Sequence, residues 1–176
     1  MAQYGFRSFK ADEGMEAGQD PAAGVPEVAN LGTLRPPLVY LATIVTGAML
    51  ELAWPSAFLP RGFAAPFGSA LVVAAVMLFF YSVRKFRAAD TPVPGNRPTT
   101  VIVRTGPYRF SRNPIYLAFS LLQLGLAGWM NSLWLIATLT AAIALMTMVI
   151  AREERYLERK FGAEYLDYKA SVRRWI

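Results

Sequence analysis

The stretch RTGPYRFSRNPIYLAF, residues 104–119, decides how the chain is read. It sets three arginines, two prolines and two tyrosines directly against an apolar run that continues to Met130. Residues 114–130, PIYLAFSLLQLGLAGWM, carry no charged side chain. Such a run approaches the ~20 residues that cross a ~30 Å hydrocarbon core. Ionisable residues at membrane depth are costly and face a bundle interior where they do occur. Polar groups this dense at the lip of a span therefore call for an explanation.

Three more apolar segments surround this one. Residues 36–54 read PPLVYLATIVTGAMLELAW, residues 67–83 FGSALVVAAVMLFFYSV, and residues 132–151 SLWLIATLTAAIALMTMVIA. Pro36 and Pro37 suit a first helical turn, whose N–H groups have no intrahelical partner. The segments are apolar around the whole circumference, whereas helices of soluble bundles keep a polar face. The pattern predicts an all-α polytopic membrane protein with about four transmembrane helices. Only Asn131 lies between the third and fourth, so these two are expected to form a tight helical hairpin with Asn131 capping the fourth helix.

The fourth helix is expected to run on through REERYLERKFG, with Gly162 as its C-cap. A short cytoplasmic C-terminal helix, AEYLDYKASVRRW, follows. Two readings of it stand side by side. Tyr165, Leu166, Tyr168, Val172 and Trp175 could lie on the membrane surface while Lys169, Arg173 and Arg174 meet phosphates. Alternatively the helix packs against the ends of the spans. Residues 1–34 are polar and read as a flexible cytoplasmic tail. They lack the basic start and apolar core of a signal peptide. Residues 35–176 read as one membrane domain: four spans, a loop over 84–113, and C-terminal helices over 152–176.

Composition narrows the chemistry. Of 176 residues, 55% are hydrophobic, above the ~45–50% usual in globular domains. There is no cysteine and no histidine. That removes disulfides, thiolate or imidazole metal ligands and the commonest general base, and no metal site is expected. The net charge is +6. In so apolar a chain this points to anionic lipid and membrane orientation rather than nucleic acid. Seventeen of the eighteen lysines and arginines lie in the tail, the 84–112 loop or beyond Ala151, and only Arg61 lies at the other ends of the spans. The positive-inside rule then places both termini, and the polar loop, in the cytoplasm. Trp54, Trp129 and Trp134 fall at the opposite boundary, as an aromatic belt requires.

A hairpin of spans three and four would bring Arg112, Asn113 and Tyr116 to the depth of Glu153 and Glu154. Neighbouring helical residues point about 100° apart, so only one of the two glutamates can face the cleft directly. The constellation is either a structural pin between helix ends or a ligand site. Pro114 leaves helix N-terminal amides aimed at the same cleft, which suits a carboxylate. In the loop before it, Val101–Val103 is a β-prone run and TGPY a turn signal. PVPGNRP lacks a phosphate-loop signature. Glu51 is expected to snorkel outward. Gln123 is expected to bond a neighbouring helix, and Gly125 and Gly128 to mark close packing.

The segments GPYRFSRNPIY (106–116) and REERYLERKFGAEYLDYKASVRRW (152–175), with TPVPGNRPTTVIVRTGPY upstream, together resemble a known family. It is the superfamily of integral-membrane isoprenylcysteine carboxyl methyltransferases and phospholipid N-methyltransferases, in its bacterial form. The family pattern is a Gly-x-Tyr turn, Arg-His-Pro-x-Tyr, a helical hairpin and a Glu-Glu pair. The resemblance implies S-adenosyl-L-methionine as cofactor and direct in-line methyl transfer to a lipophilic small-molecule or lipidated acceptor. That acceptor could be a prenylcysteine-like carboxylate, a lipid amine or a hydrophobic thiol. It implies cofactor contacts from Val103, Gly106, Pro107, Tyr108, Arg112, Asn113, Pro114, Tyr116, Glu153 and Glu154, with Arg112, Asn113 and Glu154 nearest the chemistry. In this reading Arg112 meets a carboxylate and one of the glutamates meets the cofactor ammonium. Asn113 departs from the family's His and cannot titrate. Asp90 stands where bacterial members carry a small Gly. A sterol-type reductase shares part of the C-terminal pattern, and a non-catalytic scaffold is the reading from another class. The oligomeric state is not legible.

Overall fold

The computed structural model describes residues 35–91 and 99–176. The expectations for the 1–34 tail and for PVPGNRP (92–98) lie outside the described residues. Five helices follow in order: α1 (Pro36–Ala53), α2 (Arg61–Ala88), α3 (Pro114–Met130), α4 (Leu133–Phe161) and α5 (Ala163–Ser171), with a 3-10 turn at Gly106–Arg109. No strand occurs among the described residues, so Val101–Val103 is irregular despite its β-prone composition. By length and composition α1, α2 and α4 could each cross a membrane, and α3 is a shorter apolar helix of 17 residues.

The helix limits follow local chemistry. α1 opens on Pro36-Pro37 and stops at Trp54, whose N–H donates to the Leu50 carbonyl, just before Pro55. α2 is longer at both ends than the 67–83 run: it begins directly after Pro60 and carries Pro66 inside. Lys85 and Arg87 occupy its last turn, where cations favour the negative end of the helix dipole. The chain then turns through Asp90 at φ +47°. This left-handed conformation is easy for glycine and tolerated by Asp, so Asp90 can hold a position where the resemblance leads one to expect Gly.

The link between α3 and α4 corrects one expectation. Ser132, not Asn131, is the N-cap of α4, its Oγ accepting from the Leu135 N–H at 3.3 Å. Asn131 instead ends α3 in the left-handed region at φ +53°. Its side-chain oxygen accepts from the Phe58 and Leu59 amides at 2.9 and 2.7 Å, and its Nδ2 donates to the Leu59 carbonyl at 2.8 Å. Asn thus supplies the positive φ and ties the α1–α2 connection to the α3–α4 link. Nearby, Glu51 reaches past the end of α1 and accepts from the Ser56 amide and hydroxyl, and Trp134 donates to the Trp54 carbonyl.

α2 packs along α3 through glycines. A Cβ on Gly68 would lie 2.3 Å from the Trp129 nitrogen, and one on Gly125 would lie 2.8 Å from the Val72 nitrogen. α1 packs on α4 in the same way, with Gly47 against Leu135 and Thr138. Lipid tails are as apolar as leucine, so close backbone approach and buried hydrogen bonds have to bring such helices together. Gln123 supplies bonds of this kind, donating to the Leu135 carbonyl and Thr138 Oγ1 and accepting from Thr43 Oγ1. Large side chains such as Leu41, Met49, Met77 and Phe80 point outward.

The C-terminal helix packs rather than lying apart. Tyr165, Tyr168 and Val172 are buried against Ile102, Leu157 and Phe161. Trp175 packs on the cluster formed by α1, α3 and α4 around Tyr40 and Met146. Lys169 pairs with Glu158 and Arg174 with Glu154.

Candidate active site

The polar stretch that opened the sequence folds into a turn and a helix start. Gly106 sits at φ +64°, where a Cβ would also meet the Lys85 side chain at 2.8 Å. Behind it Tyr108 is buried edge-on to Phe86, ring centroids 5.0 Å apart. Its carbonyl accepts from the Tyr168 hydroxyl at 2.8 Å. Burial raises the pKa of the Tyr108 hydroxyl well above the ordinary phenol range and pushes that of Tyr168 up to about 12. Both therefore stay neutral at physiological pH.

Three residues before Pro114 are stitched to the C-terminal segment. The Arg112 amide donates to the Arg173 carbonyl at 2.9 Å. Ser111 Oγ and Asn113 Nδ2 both donate to the Arg174 carbonyl, at 3.3 and 3.0 Å. Arg112 is bonded through its whole guanidinium. Nε and Nη2 donate to Glu154 Oε1 at 3.2 and 2.8 Å, while Nη1 donates to the carbonyls of Lys169 and Val172. Four of its five N–H groups are thereby committed to the protein.

The two glutamates are both buried, 5% and 4% exposed, and have opposite surroundings. Glu154 accepts from Arg112 and also from Arg174, whose Nε reaches Oε1 at 3.1 Å and Nη2 reaches Oε2 at 2.6 Å. Its charge is doubly compensated. Glu153 accepts a single bond, from the Tyr116 hydroxyl at 2.7 Å, and has no cationic partner among the described residues. An uncompensated buried carboxylate is expensive.

These groups border a cavity of about 410 Å³, within the ~300–1,000 Å³ range of small-molecule sites. Arg112, Asn113, Glu153 and Glu154 form its polar side, and Pro36, Phe79, Val83 and Phe119 part of its apolar side. Val103, Tyr108, Pro114 and Tyr116 also line it. Of the residues singled out from the sequence, only Gly106 and Pro107 are not in its wall. They shape the turn that carries Tyr108. The chain thus brings together the two distant stretches: Arg112 meets Glu154, and Tyr116 meets Glu153.

Sequence reasoning missed three contributors. Tyr165 and Tyr168 line the cavity, and Arg174 completes the Glu154 cluster. The VRRW run marks a basic C-terminus, but nothing in it shows that the chain folds back over residues 111–113.

Comparison with known proteins gives a consistent picture. The profile of the family described as phospholipid methyltransferase matches residues 63–164. An uncharacterized protein of Haemophilus influenzae is 43% identical over 63 residues, which are 35% of this chain and all of that protein. The nickel-cobalt-cadmium resistance protein NccN of Alcaligenes xylosoxydans xylosoxydans is 36% identical over 72 residues, 41% of this chain and 34% of that protein. No solved structure matches the chain.

Proposed function

The chain belongs to the phospholipid methyltransferase family, and from that premise we propose that it moves a methyl group from S-adenosyl-L-methionine to a lipophilic acceptor at the cavity between Arg112 and Glu153. The observation that carries this reading is Glu153: a buried carboxylate in the cavity wall with one phenol as partner and no cation among the described residues. Such a group suits a ligand that brings positive charge, and the proposed cofactor carries both an ammonium and a sulfonium. The cavity volume and the neighbouring helix start at Pro114 fit a ligand that also carries a carboxylate.

When bound, the cofactor supplies a methyl carbon already activated by positive sulfur, so little acid–base chemistry is asked of the protein. This chain's residues bind, orient and exclude water. Glu153 holds the ligand's cationic end, with Tyr116 fixing the carboxylate by donating to it. Tyr108, Val103 and the tyrosines of α5 wall the cavity. Asn113 has its Nδ2 committed to Arg174, which leaves its oxygen as an acceptor and gives it no role in removing a proton. Arg112 and Glu154 act as the frame that sets the start of α3 against α4. Holding two reactants in line can contribute up to about 7–11 kcal/mol to the rate, which suits a site without histidine or cysteine.

In the same reading residues 35–176 form one domain, α3 is a fourth span, and both termini and the cavity mouth lie on the cytoplasmic side with the basic residues. The acceptor is a membrane-embedded carboxylate, amine or thiol reached from the apolar side of the cavity.

The test is calorimetric titration of the detergent-solubilised protein with S-adenosyl-L-methionine, beside transfer of labelled methyl into a membrane extract. Glu153→Gln is expected to weaken cofactor affinity about 10–100-fold, the worth of a hydrogen bond to a charged group. Equal affinity of wild type and variant removes Glu153 from the site. No binding by the wild type ends the methyltransferase reading.

A further inference from the structure

Arg174 lies sixty-two residues from Arg112 in sequence, and the fold places both guanidiniums on one carboxylate. The segment around it is held almost entirely through backbone carbonyls. Those of Lys169, Val172, Arg173 and Arg174 accept from Ser111, Arg112 or Asn113. Two side chains of this strap bond carboxylates of α4: Lys169 pairs with Glu158, and Arg174 with Glu154 beside the cavity. Among the described residues Arg174 is also the only donor to Glu154 Oε2, an oxygen of a residue that lines the cavity.

We infer that Arg174 is a positioning residue for the ligand site. Its guanidinium closes Glu154 to the ligand and clamps the C-terminal strap over residues 111–113, so that a bound cation meets Glu153 alone. Without it, Glu154 keeps one arginine, its Oε2 is left buried and unpaired, and two adjacent carboxylates face the same cavity. The strap then loses its side-chain anchor at the cavity end, keeping only Lys169–Glu158, while the turn at Arg112 depends on it for four carbonyl acceptors. The effect on ligand affinity rests on the methyltransferase reading, but the effect on the strap does not.

The experiment compares wild type, Arg174→Ala and Arg174→Lys, each full length in detergent. Three quantities are measured: hydrogen exchange over residues 111–117 without ligand, thermal unfolding, and the Kd for S-adenosyl-L-methionine. Arg174→Ala is expected to speed exchange at the Arg112 amide and raise Kd about tenfold or more, the scale of a lost charge-assisted bond. Arg174→Lys, which keeps the charge but not the two-pronged contact, is expected to recover most of both. Unchanged exchange in Arg174→Ala overturns the inference whether or not the wild type binds the cofactor. A lowered melting temperature with wild-type Kd in the folded fraction overturns it too, because the role is then only structural. Faster exchange that Arg174→Lys restores, in a wild type that binds no S-adenosyl-L-methionine, supports the strap and sinks the methyltransferase reading instead.

Discussion

The two ends of the helix bundle are held together by different physics. At the end bearing Trp54, Trp129 and Trp134, helices meet backbone to backbone across Gly68, Gly125 and Gly128, with no ion pair among the described side chains. At the other end, arginine and glutamate side chains fill the space between helix ends and a cavity remains. Small residues let helices associate where burial from water offers no drive. Charges can do so only where each is matched, since an unpaired one costs several kcal/mol. The contrast isolates Glu153: of the two buried acids at the charged end, it is the one without a cation among the described residues.

Breaking the charged end should have the largest consequence. Arg112→Ala strips Glu154 of one arginine and takes their guanidinium donor from the Lys169 and Val172 carbonyls. Loss of one partner of a buried pair costs about 3–5 kcal/mol. Unfolding of the variant in detergent should show that loss, and proteolysis should cut first at the C-terminal strap. A stable variant with an intact strap would erase the distinction between the ends.

The glycine end offers the sharper control. In Gly68→Ala the new methyl meets Trp129 and Gly125 backbone, and overpacking of this kind costs about 1–3 kcal/mol. Cofactor affinity per folded molecule should match wild type. A loss of affinity there would show that the two ends communicate.

The smallest effect concerns alkaline pH. Tyr168 is raised to about 12 by burial, against about 10 unfolded. The folded state therefore holds this proton more tightly. Its contribution is complete below about pH 10 and is lost as pH climbs through about 12. Spectrophotometric titration should find several phenols ionising late, Tyr168 and Tyr108 among them, with the C-terminal helix loosening as Tyr168 ionises. Tyr168→Phe should remove one late-ionising phenol from the titration and leave the others.

Much of this was legible in the chain. The apolar runs located α1, α3 and α4, because a helix in lipid must be apolar on every side. The start of α2 was not, since Arg61 and Pro66 break the hydropathy signal while Pro60 just ahead of them suits a helix start. The α3–α4 link was read one residue out, because Asn and Ser both cap helices and only backbone geometry shows which takes positive φ. Of the site, spacing along an antiparallel pair sufficed to bring Arg112 and Tyr116 to the two glutamates. Which glutamate is left without a cation depended on Arg174 returning from the C-terminus, a long-range contact with no local pattern.

The length of α3 has a consequence of its own. Seventeen residues rise about 26 Å, short of a ~30 Å hydrocarbon core, so if α3 is the fourth span proposed above, with its tryptophan end at one interface, Pro114 stops a few ångströms beneath the other. Mismatch of that size deforms the surrounding lipid at a fraction of a kcal/mol per ångström. Bilayer thickness then becomes a setting on the cavity, and vesicles of graded acyl-chain length are a dial for turning it.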